Sequence, residues 1–241
     1  MKLAFADLYG HDADPDSMRV SAADLLADGY LAERAELIDP TAASRPSPGV
    51  PERGGTVYLC TADADGRMVS FIQSNFMGFG SGVVVPGTGI SLQNRGAGFV
   101  LRDGHPNRVA GGKRPFHTII PGFVTRQGEA LAAFGVMGGA MQAQGHLQVM
   151  LRTLLYGQNP QAAIDAPRWQ VLPDGATVAI ERGYDAAVYQ ELEERGHVVL
   201  RDPRLATGDR FFGGAQLAWR LAGGGYLGAS DPRREGQAVG R

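Results

Sequence analysis

Apolar positions follow a helical spacing at the start of this chain, alternate as in strands through its middle, and mix both patterns toward its end. Leu25, Leu26, Tyr30, Leu31, Ala35 and Leu37 recur at roughly helical spacing behind Ser21, a residue suited to cap that helix. Residues 1–38 therefore read as helical pieces. Residues 39–55, DPTAASRPSPGVPERGG, have no periodicity and read as an exposed linker of the kind that tolerates cleavage. At Thr56 the pattern changes: TVYLCTA and MVSFIQSN are strand-like and joined by DADG. A three-residue loop Ala64-Asp65-Gly66, with Gly66 left-handed, pairs Asp63 with Arg67, and counting outward sets Thr56 opposite Ser74.

Further strand-like runs follow in GVVVP, GISLQN, HTIIPGFVT and ALAAFGV. Gly139 to Tyr156 reads as a helix with Leu147, Met150, Leu151, Leu154 and Leu155 on one face, and Gln161–Ala166 as a second. TVAIE is a strand, DAAVYQELEERG a helix ended by Gly196, and HVVLR, AQLAWRL and GGYLGAS close the chain as strands. Strands in the middle with helices flanking them imply an α/β (α+β) sheet-and-helix sandwich.

Composition narrows the function classes. A formal charge of −2 without a basic run gives no footprint for nucleic acid or an anionic membrane. No apolar stretch reaches the ~18 residues of a membrane-spanning helix. The opening MKLAFADLYGHDADPD has acids where an export signal needs an apolar core, so a cytoplasmic protein is the expectation. The single cysteine, Cys60, excludes an internal disulfide and sits in an apolar run as a small buried side chain. The five histidines lack metal-ligand spacing; His105 and His146 read as loop and helix-surface residues, and neither metal nor cofactor is implied. GFGSG, GGGYLG and AGGKRP match neither the dinucleotide nor the phosphate-loop spacing.

The sequence RGG-TVYLC places Thr56 after two glycines at the seam between linker and strand. Most threonines at such a position serve β-propensity. Cutting the Gly55–Thr56 bond would nevertheless create a threonine whose own amine can act as the base for its hydroxyl, and the glycines permit the strained geometry that such a cut needs.

DADG, FGSG, PGTGISLQN, GKRPFHTIIP, MGGAMQAQGH, YGQNPQAAIDAPRW and YLGASDPRREG, in this order and spacing, resemble the small catalytic subunit of gamma-glutamyltransferases (gamma-glutamyltranspeptidases) from Thr56 to Arg241. Residues 1–55 resemble the C-terminal end of that family's large subunit, with the linker ending at the autocleavage site. The resemblance implies the four-layer αββα fold of N-terminal-nucleophile hydrolases, incomplete in this chain. It places Thr56 on the nucleophile, Gly55 and Thr56 on the cleavage site, and Ser74 on a second hydroxyl bonded to the nucleophile. Gly138 and Gly139 fall on the oxyanion glycines. As a pair opening the helix that begins near Ala140, their N–H groups escape the helix ladder; the alternative is that they merely permit close strand–helix packing.

The family's substrate loop departs here: Phe76, Arg95 and Gly98 stand where an asparagine, a glutamine and an aspartate are expected, and His117 and Thr118 replace two serines. Loss of the aspartate removes the partner of a substrate α-ammonium. Arg95 can grip a carboxylate through its planar fork or serve as a structural ion pair. The implied substrate is a small-molecule amide, glutathione-like or glutaryl-like, with the missing large-subunit segment or another chain supplying it as partner. The rival reading is a catalytically inactive fragment or pseudoenzyme, with unpaired strand edges and uncovered apolar faces wherever the large subunit is lacking.

Overall fold

A computed structural model of the chain describes residues 1–43, 55–201 and 210–240. The linker expected over 39–55 falls largely outside them.

The chain opens with α1 (Lys2–His11), α2 (Ala22–Leu25) and α3 (Asp28–Glu36). Ser21 caps α2, its hydroxyl accepting from Asp24 N–H while Asp24 accepts from Ser21 N–H, a closed capping box. The expected single helix is broken: Ala27 is extended and Asp28 starts a new helix, its carboxylate favourable in the first turn. Leu26, Leu31 and Leu37 of this segment face solvent.

β1 (Gly55–Ala62) and β2 (Met68–Phe76) form an antiparallel hairpin in the register expected from spacing, with Ala62 opposite Met68 and Thr56 opposite Ser74. Asp63 N–H donates to Arg67 O at 3.0 Å and Gly66 takes φ 87°. The two-residue alternation turns Tyr58, Cys60 and Ser70 inward and Val57, Leu59, Val69 and Phe71 outward, where all four are exposed. Cys60 is half-buried and desolvation raises its thiol pKa, so the thiolate is disfavoured.

From residue 77 to 121 the structure is turns, a 3-10 turn (Arg95–Gly98) and two isolated bridges, Val84 with Ser91 and Val100 with Arg108. The runs expected as strands in GVVVP and GISLQN are loop instead. Gly87 and Gly89 take positive φ between them, and Pro86 lacks a ladder donor. HTIIPGFVT yields a strand only past Pro121. Then come β3 (Gly122–Arg126), β4 (Glu129–Met137), α4 (Met141–Met150), α5 (Pro160–Asp165), β5 (Trp169–Val171), β6 (Thr177–Ile180), α6 (Ala186–Glu194), β7 (Val198–Leu200), β8 (Gly214–Arg220) and β9 (Tyr226–Ser230). β3, β4, β8 and β9 make an antiparallel sheet in that order; β5, β6 and β7 make a small mixed sheet packed on α6.

The hairpin covers one face of the four-stranded sheet, while α4 and α5 bury Val149 and Ile164 against Phe134, Val136, Ala215 and Leu217 on the other. Three layers of an αββα sandwich are thus described. The outer face of the hairpin, where the fourth would lie, is exposed. No helix among the described residues is long and apolar enough to cross a membrane.

Helix α4 reverses its expected facing. Leu147 is exposed, as are Leu151, Leu154 and Leu155 in the π-helical turn Leu151–Leu155 that continues it. Gln142, Gln144 and Gln148 are buried. Gln144 donates to Val171 O at 3.0 Å and accepts from Val171 N–H at 2.7 Å; Gln148 does the same for Trp169 at 2.9 and 3.0 Å. Two amides one helical turn apart thereby replace a neighbouring strand along the edge of β5, satisfying backbone groups that burial would otherwise orphan.

His146, expected on the helix surface, instead accepts from Val136 N–H at 3.1 Å and packs on the Phe134 ring at 4.8 Å. Val136 lies two residues beyond Phe134, which makes the last β3–β4 pair with Gly122, so the imidazole substitutes for the strand that has ended. Desolvation lowers its pKa from 6.5 to about 4. The unfolded chain therefore binds the extra proton between those values, and stability falls as pH drops from about 6.5 to about 4. Urea titrations of wild type and His146→Gln across this range should show that loss in the wild type and a flatter dependence in the variant.

Candidate active site

Tyr58 sets the position of Thr56. Its ring lies flat on Gly135 of β4, where an added Cβ would come within 2.4 Å of Tyr58 Cδ2, and its hydroxyl meets Ser70 Oγ at 2.8 Å. Stepping two residues back along β1 and two forward along β4, at ~3.3 Å each, brings Thr56 and Met137 to the same end of the stacked strands. Both line one cleft of about 550 Å³, together with Ser74, Asn75, Gly78 and Arg234.

The backbone at the seam is irregular. Gly55 pairs with Phe76 but Thr56 with Ser74, so Asn75 is an extra residue bulged from β2 directly across from the Gly55–Thr56 peptide. Phe76 then takes φ 76°, the left-handed region that a bulky side chain enters only when its surroundings enforce it. Here the enforcement is visible. Phe76 is buried, its N–H donates to Ser74 Oγ at 2.8 Å, and the guanidinium carbon of Arg95 lies 5.2 Å from its ring centre. Asn94 ties the bulge from beyond, donating its N–H to Asn75 O at 3.1 Å and accepting from Met77 N–H at 3.0 Å.

Arg95 is 5% exposed at the start of a 3-10 turn, Arg95–Gly98. It donates to Thr118 Oγ1 and to Ser74 O, each at 3.4 Å. The structure thus brings Phe76, Arg95, Thr118 and Ser74 together, with Arg95 behind the Ser74 wall rather than among the cleft-lining residues. His117 is exposed, its Nδ1 accepting from Ile119 N–H at 3.2 Å. Gly98 lies under Phe116, and buried Asn107 joins the two segments, donating to Gly98 O at 2.7 Å and accepting from Phe116 N–H at 3.0 Å.

Gly138 and Gly139 join β4 to α4 with φ of 129° and 60°. Their carbonyls accept from Met141 and Gln142, opening the helix, while neither glycine N–H donates among the described residues. Two unengaged donors at a helix start suit an anion or a developing oxyanion. A side chain at Gly138 would be strained by its φ and would stand 3.1 Å from Gly213 Cα. Gly138→Ala should therefore lower kcat roughly 10²-fold, about the loss of one oxyanion donor, with KM little changed. A kcat within twofold of wild type would remove Gly138 from that role.

Two features escaped the sequence reading. Arg234 lines the cleft. Behind it, Arg168, Glu181, Asp231 and Arg233 form a buried ion network: Arg168 to Asp231 at 2.6 Å, Arg233 to Glu181 at 2.6 Å and Arg233 to Asp231 at 3.1 Å. The DAPRW and SDPRR pieces signal it only once α5, β6 and β9 are known to meet. Among the described residues, no group of three or more His, Cys, Asp and Glu side chains is placed to hold a metal ion.

The family described as gamma-glutamyltranspeptidase matches residues 1–241. The glutathione hydrolase-like YwrD proenzyme of Bacillus subtilis (strain 168) is 36% identical over 252 residues, covering 100% of this chain and 46% of that protein. The oxamate amidohydrolase proenzyme of Klebsiella pneumoniae subsp. pneumoniae is 37% identical over 243 residues, covering 99% of this chain and 45% of that protein. Among solved structures, cephalosporin acylase from Bacillus halodurans superposes with a TM-score of 0.86 at 49% identity, over 98% of this chain and 42% of that one. The chain spans less than half the length of these relatives.

Proposed function

The chain belongs to the gamma-glutamyltranspeptidase family, and on that premise we propose that it is the catalytic part of a threonine-dependent amidase or acyltransferase. Residues 1–55 act as the end of the large-subunit region and residues 56–241 as the small subunit, separated by cleavage of the Gly55–Thr56 bond. The observation that carries this reading is the bulge at that bond. The extra residue Asn75 and the left-handed Phe76 stand across from the Gly55–Thr56 peptide, at the cleft end where β4 runs into Gly138 and Gly139.

Strain stored there favours attack of the Thr56 hydroxyl on the Gly55 carbonyl. The Gly55–Thr56 C–N bond breaks as the Thr56 nitrogen takes up the hydroxyl proton, and water hydrolyses the resulting Gly55 ester to free Thr56. Once cut, the Thr56 amine accepts the proton of its own hydroxyl as Oγ adds to a substrate amide carbonyl. The N–H groups of Gly138 and Gly139 stabilise the resulting oxyanion. Collapse expels the amine, which takes up the proton, and leaves an acyl-threonine ester; water or a second amine then adds, loses its proton to the amine base, and releases the acyl group. Ser74, opposite Thr56, orients the nucleophile. Arg95, His117, Thr118 and Phe76 are assigned to the acyl-binding side, with Arg95 standing behind the Ser74 wall and donating to Ser74 O and Thr118 Oγ1. Substrates are glutathione-like γ-glutamyl amides or carboxylate-bearing relatives such as glutaryl amides, in keeping with relatives named for glutathione, oxamate and a cephalosporin.

The exposed outer face of the hairpin and the exposed leucines after α4 favour a second chain segment as partner. Co-expression with a family-type large-subunit segment tests the whole reading. Mass spectrometry should find a break before Thr56, and the product should hydrolyse γ-glutamyl or glutaryl anilides, whereas this chain alone stays uncut. A complex that remains intact after long incubation and is inert toward both anilides would mean the fold persists without catalysis.

A further inference from the structure

We infer that Gln142 is a positioning residue of the acylation site. It ties the segment carrying His117 and Thr118 to the turn carrying Gly138 and Gly139, and so holds the acyl side and the oxyanion donors in one frame. The inference rests on the proposed amidase reading and adds to it a residue that does not itself line the cleft.

Gln142 is 1% exposed and stands in the first turn of α4, where its N–H donates to Gly139 O at 3.0 Å. Its side-chain Oε1 accepts from Ile120 N–H at 3.0 Å. That bond fixes the orientation of the amide, and it leaves Nε2 buried without a hydrogen-bond partner among the described residues. Gln144 and Gln148 of the same helix are each engaged at both ends of the amide. A buried donor left unmade costs at least as much as one neutral hydrogen bond returns. The Gln142–Ile120 contact therefore adds little to stability. What it supplies is geometry.

The contact falls at a telling point of the chain. Pro121 has no N–H and β3 begins only at Gly122, so Ile120 offers the last backbone donor before the sheet. Two residues upstream, buried Thr118 accepts from Arg95 Nη1, and Arg95 also donates to Ser74 O, each at 3.4 Å. Ser74 is the ladder partner of Thr56. A run of contacts thus leads from the nucleophile's strand through Ser74, Arg95, Thr118 and Ile120 to Gln142, and from Gln142 N–H to Gly139. The nearest β3–β4 pair, Gly122 with Phe134, lies four residues before Gly138, about 13 Å of strand away, too far to set the turn. The Gln142 amide closes that distance.

Kinetics of the co-expressed complex test this, with turnover of γ-glutamyl and glutaryl anilides counted per Thr56 that acylates in a burst titration. Gln142→Met keeps the length of the side chain and removes the acceptor. It should lower kcat roughly 10- to 100-fold, the scale of a displacement of about 1 Å, with KM within about threefold. Gln142→Glu returns an oxygen to Ile120 N–H and should recover most of the loss. A residue that only supports folding would lower the urea midpoint and the fraction of Thr56 that acylates, and leave kcat per acylated site alone. That outcome overturns the inference, as does a loss carried by KM alone or a Glu variant no better than the Met variant. Should wild type stay uncut and inert, the amidase reading fails by itself. Hydrogen exchange of the intact complex then decides the tie, and does so equally if Gln142→Met fails to mature. The variant should speed exchange roughly 10-fold in both 117–120 and 138–140; acceleration in neither, or in one alone, removes the tie.

Discussion

Replacing Thr56 with alanine is expected to abolish both chain cleavage and amide turnover. A single hydroxyl is asked to perform two attacks, first on the Gly55 carbonyl and then on the substrate. Opposite it stands Ser74, whose Oγ accepts from Phe76 N–H and lies across the ladder on β2, one strand away from the bond to be cut. Thr56→Ser should retain part of each activity, because a primary hydroxyl on the same strand position can still reach both carbonyls. The measurement is intact-mass analysis of the co-expressed complex followed by anilide kinetics. If the alanine variant still separates into two pieces at the same bond, the nucleophile lies elsewhere and the assignment of this site is wrong.

Breaking the buried ion network is the second large effect expected, and it acts on stability. Asp231 accepts from Arg168 Nη2 at 2.6 Å, from Ala215 N–H at 2.7 Å, and from Arg233 N–H and Nη1 at 2.9 and 3.1 Å. Burial opposes the carboxylate charge, yet the neighbouring Arg168 and Arg233 overcome it and hold its pKa below the ordinary value. Asp231→Ala strands Arg168, which is 2% exposed, without its counter-charge. Removing one member of such a pair costs about 3–5 kcal/mol, against a typical total of about 5–15 kcal/mol for a domain. Asp231→Asn keeps the volume and one acceptor and should cost less. Urea unfolding of the co-expressed complex should show the midpoint falling with unchanged slope. An unaltered midpoint for the alanine variant would mean the arginines are satisfied by Glu181 and the carbonyls of Ile164, Ala166 and Phe212.

How much was legible in advance depended on the range of the interaction. The hairpin register, and with it Thr56 opposite Ser74, follows from a three-residue turn closed by Gly66, because strand pairing propagates from a local turn without reference to the rest of the chain. The Ser21 cap and the end of α6 before Gly196 are local in the same way. The segment between residues 77 and 121 is loop although GVVVP and GISLQN have strand composition, because no neighbouring strand among the described residues completes a ladder there.

By itself, then, the sequence determined this protein's local geometry and, through the order of its motifs, its family. Tertiary structure decided what its polar residues are for. The glutamines of α4 look like a solvent face and its leucines like a core face. The reverse holds because β5 presents an edge whose backbone groups the side-chain amides satisfy, each with one donor and one acceptor, whereas the leucines look toward a surface these residues leave open. Likewise Arg168, Arg233 and Arg234 are chemically identical in the sequence. Two lie buried beside carboxylates, whereas the third crosses Gly214, remote in sequence and adjacent in the fold, and lines the cleft. Burial and long-range pairing assign such roles, and neither leaves a period along the chain.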